Sequence, residues 1–245
     1  MACVIWATRG IAPEGCRYME RAKQTSESIE LGIVLALAGG FMDAYSYVAR
    51  DGVFANAQTG NILLTGVHIS EGDYALALRF LAPVLCFSLG IMLSDLVHER
   101  FSNRIHWRQV TVLVEALILL GVSFVSGDLN ILANSLTSLA CGMQVESFRK
   151  IHGHGIATTM CIGNLRSGMD ALVAFGHTHD KNALWKSLQY FAIIFIFALG
   201  AGIGTQCVGI FGERTIWLSC TLLLVSLCFM FIKEDLPEIE EELKK

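Results

Sequence analysis

The chain has 245 residues, 53% of them hydrophobic and only 16% charged, with a mean hydropathy of +0.54. Soluble domains carry about 25% charged residues, so the deficit points to a membrane protein, and no polar interval is long enough for a soluble enzyme domain. A formal net charge of −4 excludes a nucleic-acid binder, which needs basic excess to neutralise phosphates.

Residues 1–30 read as a cytoplasmic tail. They hold no apolar core of useful length and no cleavage pattern, so no signal peptide is expected, and Met19 offers an alternative start. A spanning helix needs ~20 mostly apolar residues. Six stretches qualify: Leu31–Val48, Tyr74–Val97, Gln109–Val125, Leu129–Phe148, Trp185–Val208 and Thr215–Ile232. Gly52–Ile69 and Gly155–Phe175 are long enough to cross but rich in Gly, Asn, Thr and Gln. Residues 233–245 form a charged cytoplasmic tail. The eight cysteines contain no CxxC pair and lie largely in apolar runs, where cysteine acts as a small apolar residue; structural disulfides are not expected.

Basic residues choose between six and eight crossings. Cytoplasmic loops carry the excess of Lys and Arg. Six crossings with a cytoplasmic N-terminus keep Arg100, Arg104, Arg108, Arg149, Lys150, Lys181 and Lys233 inside and leave little beyond Arg50 and Arg214 outside. Eight crossings would move Arg100, Arg104, Arg108, Arg149 and Lys150 outside. The expectation is six crossings, both termini cytoplasmic, with the two polar stretches entering and leaving on one side.

The chain also repeats. A shift of 103 aligns Gly39 with Gly142, Asp43 with Glu146, Gly52 with Gly155, Gly60 with Gly163 and Asn61 with Asn164. A shift of 110 then aligns Gly90 with Gly200, Phe101 with Phe211, Arg104 with Arg214 and Trp107 with Trp217. Ordered matches of Gly, Asn, Arg and Trp carry weight that Leu matches do not. Three crossings per half make the repeats, 31–127 and 128–232, inverted about an axis in the membrane plane. The fold class is thus all-α integral membrane: six transmembrane helices as two inverted three-helix repeats, each with a polar re-entrant or broken-helix segment.

The runs GGFMDAYSYV, GVFANAQTGNILLTG, GMQVESFRK and TTMCIGNLRSG resemble the YoaK family of bacterial multi-pass membrane proteins. The resemblance covers about residues 30–232. It implies a bacterial inner-membrane location and supplies no substrate or catalytic residue.

Non-helical backbone at membrane depth must be buried in protein or line a water-filled cavity. Gln58, Thr59, Asn61, Thr158, Thr159 and Asn164 would supply donors and acceptors there. They read either as a substrate or ion site or as caps holding the repeats together. Asp43 and Glu146 occupy equivalent helix positions, and a carboxylate there normally faces a cavity or a partner: a bound cation or proton, or a salt bridge with Arg50 or Arg149. Glu115 is the most isolated carboxyl. Arg166 could meet an anionic substrate or pair with Asp170 or Glu146. His152, His154, His177 and His179 are weak metal candidates. Hydrolase, kinase and Walker signatures are absent from the sequence.

The expected function is a small-solute or ion transporter or channel with its site between the repeats. The alternatives are a membrane-embedded enzyme acting on a lipid-soluble substrate and a structural or signalling membrane protein. Expected partners are the lipid bilayer and an unidentified small solute or ion, with no nucleic acid; a homo-oligomer is compatible with the composition. No cofactor is called for.

Overall fold

The computed structural model describes residues 29–101, 107–149 and 155–242. The N-terminal tail with Met19, and His152 and His154, lie outside the described residues. Those described form eight α-helices and no strand: α1 Ile29–Ala49, α2 Gln58–Ser70, α3 Tyr74–Phe101, α4 Trp107–Val122, α5 Asn130–Ser147, α6 Cys161–Thr178, α7 Lys181–Phe211 and α8 Ile216–Glu242. Six of these match the expected apolar stretches. Each polar stretch instead divides into an extended leg followed by a shorter helix: 53–57 before α2 (leg 1) and 155–160 before α6 (leg 2). The legs VFANA and GIATTM stay out of helix because side-chain amides take up their backbone groups instead: Asn61 bonds Phe54 and Asn164 bonds Ala157.

Three stretches are long and apolar enough to cross a membrane by length and composition: Ile29–Ala49, Tyr74–Arg100 and Lys181–Met230, the last covering both α7 and α8. Two helices fall short for visible reasons. α4 has only 16 residues, and α5 buries Asn134, Ser135, Thr137, Ser138 and Gln144 instead of an apolar face. Apolar side chains such as Leu85, Leu117, Val173, Phe195, Ile203 and Ile210 are exposed, an outside suited to lipid.

Two close helix crossings organise the core. α1 packs on α7, and α3 packs on α5. Glycine permits both approaches. A Cβ on Gly40 would strike the Phe197 carbonyl, and one on Gly200 the Leu37 carbonyl. On the other side, a Cβ on Gly90 would strike the Leu139 carbonyl, and one on Gly142 the Phe87 carbonyl. Gly204 against Phe41, four residues on from Gly200 against Leu37 in both helices, makes α1 parallel to α7, and Ser94 against Ser147, beyond Gly90 against Leu139, makes α3 parallel to α5. Small residues at such interfaces let backbones meet where no hydrophobic effect drives association. α4 and α8 pack on each other, α4 also on α5 and α8 on α1. The main apolar cluster runs through Leu31, Leu35, Met42, Leu119, Cys141 and Leu223.

Chain direction follows from which ends lie together. The end of α1 contacts the residues after α4, the start of α5 and the residues after α7, through Arg50. α5 therefore starts on the face where α1 ends, and so does α3, which runs parallel to it. α2 joins these two ends: leg 1 descends beside α1, and α2 returns to the same face.

Alanine at Gly40 or Gly142 forces backbone apart and is expected to lower stability by about 1–3 kcal/mol, read as a fall in the thermal midpoint of the purified protein. Alanine at Gly66, which has open space around it, is expected to leave the midpoint unchanged or slightly raised.

Candidate functional site

The two legs converge on the middle of α1. Leg 1 runs back along the helix, and the Asn56 backbone N–H donates to Asp43 Oδ1 at 2.6 Å. The Asn56 side-chain nitrogen donates to the Gly39 carbonyl at 3.1 Å. Leg 2 reaches the same residue from the other side: the Thr159 methyl fills the space a Gly39 side chain would need. Gln144 of α5 completes the junction, its Nε2 donating to the Leu35 carbonyl at 3.2 Å and approaching Thr158 Oγ1 at 3.4 Å. Met42 and Cys141 bring their sulfurs to 3.8 Å beside it.

Each leg is held to its own helix by an asparagine. Asn61 Oδ1 accepts from Phe54 N at 3.1 Å, and Asn61 Nδ2 donates to Phe54 O at 2.7 Å. Asn164 Oδ1 accepts from Ala157 N at 3.2 Å, and Asn164 Nδ2 donates to Ala157 O at 2.6 Å. Both clasps span seven residues and both asparagines are buried. A carboxamide suits this task because it alone presents one donor and one acceptor in the pattern of a peptide unit. The extended backbone of the legs has no strand partner, and the clasps supply one.

The other expected residues separate. Gln58 opens α2, donates to Ala55 O at 2.7 Å and accepts from Asn61, and it reaches Ser138 of α5 at 3.5 Å. Thr158 and Thr159 are buried at the junction, whereas Thr59 is exposed. Glu146 is not at the junction: it is ion-paired with Arg149 at 2.8 Å, while its sequence counterpart Asp43 faces leg 1. Arg166 is exposed on α6 and forms no ion pair with Asp170 or Glu146. His177 and His179 are exposed at the end of α6, and no metal-holding group of three or more His, Cys, Asp or Glu occurs among the described residues. Glu115 is buried on α4, and neither of its oxygens has a hydrogen-bond partner.

Three polar residues of structural weight, Asn56, Gln144 and Asn134, were not singled out from sequence. Asn56 and Gln144 stood inside the quoted motifs without a role. Arg50 reads from sequence as an outside charge or a salt-bridge partner of Asp43; it is instead fully buried and bonds Tyr45 Oη at 2.7 Å, Asn130 Oδ1 at 2.9 Å and the Val125 carbonyl at 2.8 Å, with Glu213 at 3.5 Å. Asn134 returns a bond to the Arg50 carbonyl at 2.7 Å. This knot ties four chain segments together at one face.

The family model described as "Protein of unknown function (DUF1275)" matches residues 31–229, which include both legs, both clasps and every helix of the core. The chain belongs to this family. It is also 25% identical over 201 residues to the UPF0700 transmembrane protein YoaK of Bacillus subtilis (strain 168), covering 78% of this chain and 88% of that protein. No solved structure matches the chain. With this relative and its exposed apolar helices, the DUF1275 chain is a membrane protein.

Leucine at Asn61 or Asn164 strands one partly buried backbone N–H and one partly buried carbonyl, at up to about 1–3 kcal/mol for each group. Both variants are expected to lose folded yield to a similar degree in detergent extracts. Arg50→Lys cannot serve all the partners of a planar five-donor group; it is expected to lower stability by about 3 kcal/mol or more, the scale for breaking a buried pair. Glu213→Gln, whose side chain is 45% exposed, is expected to cost under ~1 kcal/mol. Thermal unfolding of the two variants side by side checks the ranking.

Proposed function

We propose that this DUF1275 protein moves a small solute or ion across the bacterial inner membrane, through the junction where the two legs meet α1. The reading takes the chain as two inverted halves with six crossings, α2 and α6 being re-entrant from opposite faces, and both termini cytoplasmic. Broken helices at a repeat interface near the midplane are the usual place for a transport site.

Several matched contacts favour the inverted arrangement. The Asn61–Phe54 and Asn164–Ala157 clasps are equivalent under the shift of 103. The Ser94–Ser147 hydroxyl contact at 2.9 Å has its counterpart in Gly204 against Ala44. Basic residues near helix ends, Arg100, Arg108, Arg149 and Lys181, gather on the face opposite Arg50 and favour that face as cytoplasmic.

The observation that carries the transport reading is the convergence of both legs on Gly39 beside the Asp43 carboxylate. Asp43 lies about two-thirds of the way along the most buried helix, where a carboxylate normally faces a cavity or a partner. A purely structural role suits Asn61 and Asn164, whose amides are engaged by their own legs; they are positioning residues in this scheme, and Asp43, Thr158 and Thr159 are the contact residues.

Purified protein in liposomes is expected to show flux of at least one member of a panel of small neutral solutes and alkali salts. Asp43→Asn removes the charge but keeps an acceptor for Asn56 N, and is expected to cut that flux roughly tenfold or more, the effect of losing one charge-assisted contact, with the thermal midpoint little changed. Undiminished flux in folded Asp43→Asn, or no flux of any panel member above protein-free liposomes, contradicts the reading.

A further inference from the structure

The junction holds more acceptor oxygen than the protein satisfies. Asn56 Nδ2 is anchored on the Gly39 carbonyl and Gln144 Nε2 on the Leu35 carbonyl. These carbonyls are four residues apart on α1, about 6 Å along its axis. With both nitrogens fixed, both amide oxygens are left over: Asn56 Oδ1 and Gln144 Oε1 have no hydrogen-bond partner, and neither has Thr159 Oγ1, whose methyl abuts Gly39. The three residues are 7%, 0% and 5% exposed. They come from three separate elements, leg 1, α5 and leg 2, and Asp43 adds a carboxylate 2.6 Å from Asn56 N.

An unmatched acceptor in an apolar interior is costly. One such oxygen is an ordinary imperfection; three on residues that touch one turn of α1, at Leu35 and Gly39, near a carboxylate, make a candidate donor set. Amide, hydroxyl and carboxylate oxygens are hard ligands that suit alkali and alkaline-earth cations. Charge narrows the choice. One carboxylate balances one positive charge, and a divalent ion would leave net charge in a low-dielectric setting. Softer metals are a poorer fit to a set of oxygen donors.

We propose that the junction binds one dehydrated alkali cation, with Asp43, Asn56, Gln144 and Thr159 as its oxygen donors. The proposal deepens the transport reading and rests on it for its physiological sense, but binding is measurable without flux.

The test is thermal unfolding of the full chain in detergent at constant ionic strength, replacing choline chloride stepwise with lithium, sodium, potassium or calcium chloride. At least one alkali ion is expected to raise the midpoint saturably, by about 5 °C at a hundredfold excess over its dissociation constant. Thr159→Val keeps the shape and removes an oxygen that bonds nothing in the protein. Its midpoint in choline is expected to equal that of the parent, while half-saturation rises about tenfold, the effect of one lost ligand contact. Asp43→Asn is expected to lose the cation response. No saturable alkali response, a calcium response alone, or unchanged half-saturation in Thr159→Val overturns the site. A cation response with these properties in a protein that shows no flux supports the site and contradicts the transport reading, so the two failures are distinct.

Discussion

Everything in this fold depends on one constraint: non-helical backbone inside a helical core must find hydrogen-bond partners within the protein. Two asparagines meet it. Asn61 clasps both polar groups of Phe54, and Asn164 clasps both polar groups of Ala157. Each supplies what a neighbouring strand would, without a strand being present. An isolated peptide group at that depth would cost several kcal/mol, so the clasps decide whether the legs stay inside at all. Once they do, α2 and α6 are free to be short, because each begins part-way through the protein.

The helix packing follows from the same economy of space. The legs must reach the middle of α1, so α1 cannot be surrounded by bulky side chains there. Gly39 makes room for Thr159, and Gly40 lets α7 approach at backbone distance. Gly142 does the same for α3 against α5. The Arg50 knot then closes one face by tying the end of α1 to the segments around α4, α5 and α7. A buried arginine is tolerable in this place because every direction of its guanidinium has an acceptor.

Much of this was legible in the sequence, and for identifiable reasons. Apolar length located the helices, because lipid-facing residues such as Leu85 and Ile203 leave a continuous hydropathy signal. α4 and α5 were also found, although the buried polar residues of α5 dilute that signal. The 103-residue shift singled out Asn61 and Asn164 because their clasps repeat. Asp43 and Glu146 show where the method ends: equivalent positions carry like residues, yet Asp43 turns to leg 1 and Glu146 turns to Arg149. Side-chain direction depends on the neighbouring element, which no shift of the sequence reveals. The roles of Asn56, Gln144 and Arg50 were hidden for the same reason. Their partners lie on other elements or on backbone carbonyls, and a carbonyl leaves no mark in a sequence.

The central claim is that the two legs enter from opposite faces and each returns by a short helix to the face it came from. Cysteine labelling with a membrane-impermeant reagent in a cysteine-depleted background tests it most directly. Probes placed at Glu71, in the α2–α3 turn, at Asp128 before α5, and at His179, in the α6–α7 turn, report which side each turn occupies. The account predicts that Glu71 and Asp128 react from one side and His179 only from the other. Reaction of Glu71 and His179 from the same side would contradict it, since α2 and α6 would then both cross the membrane in the same direction.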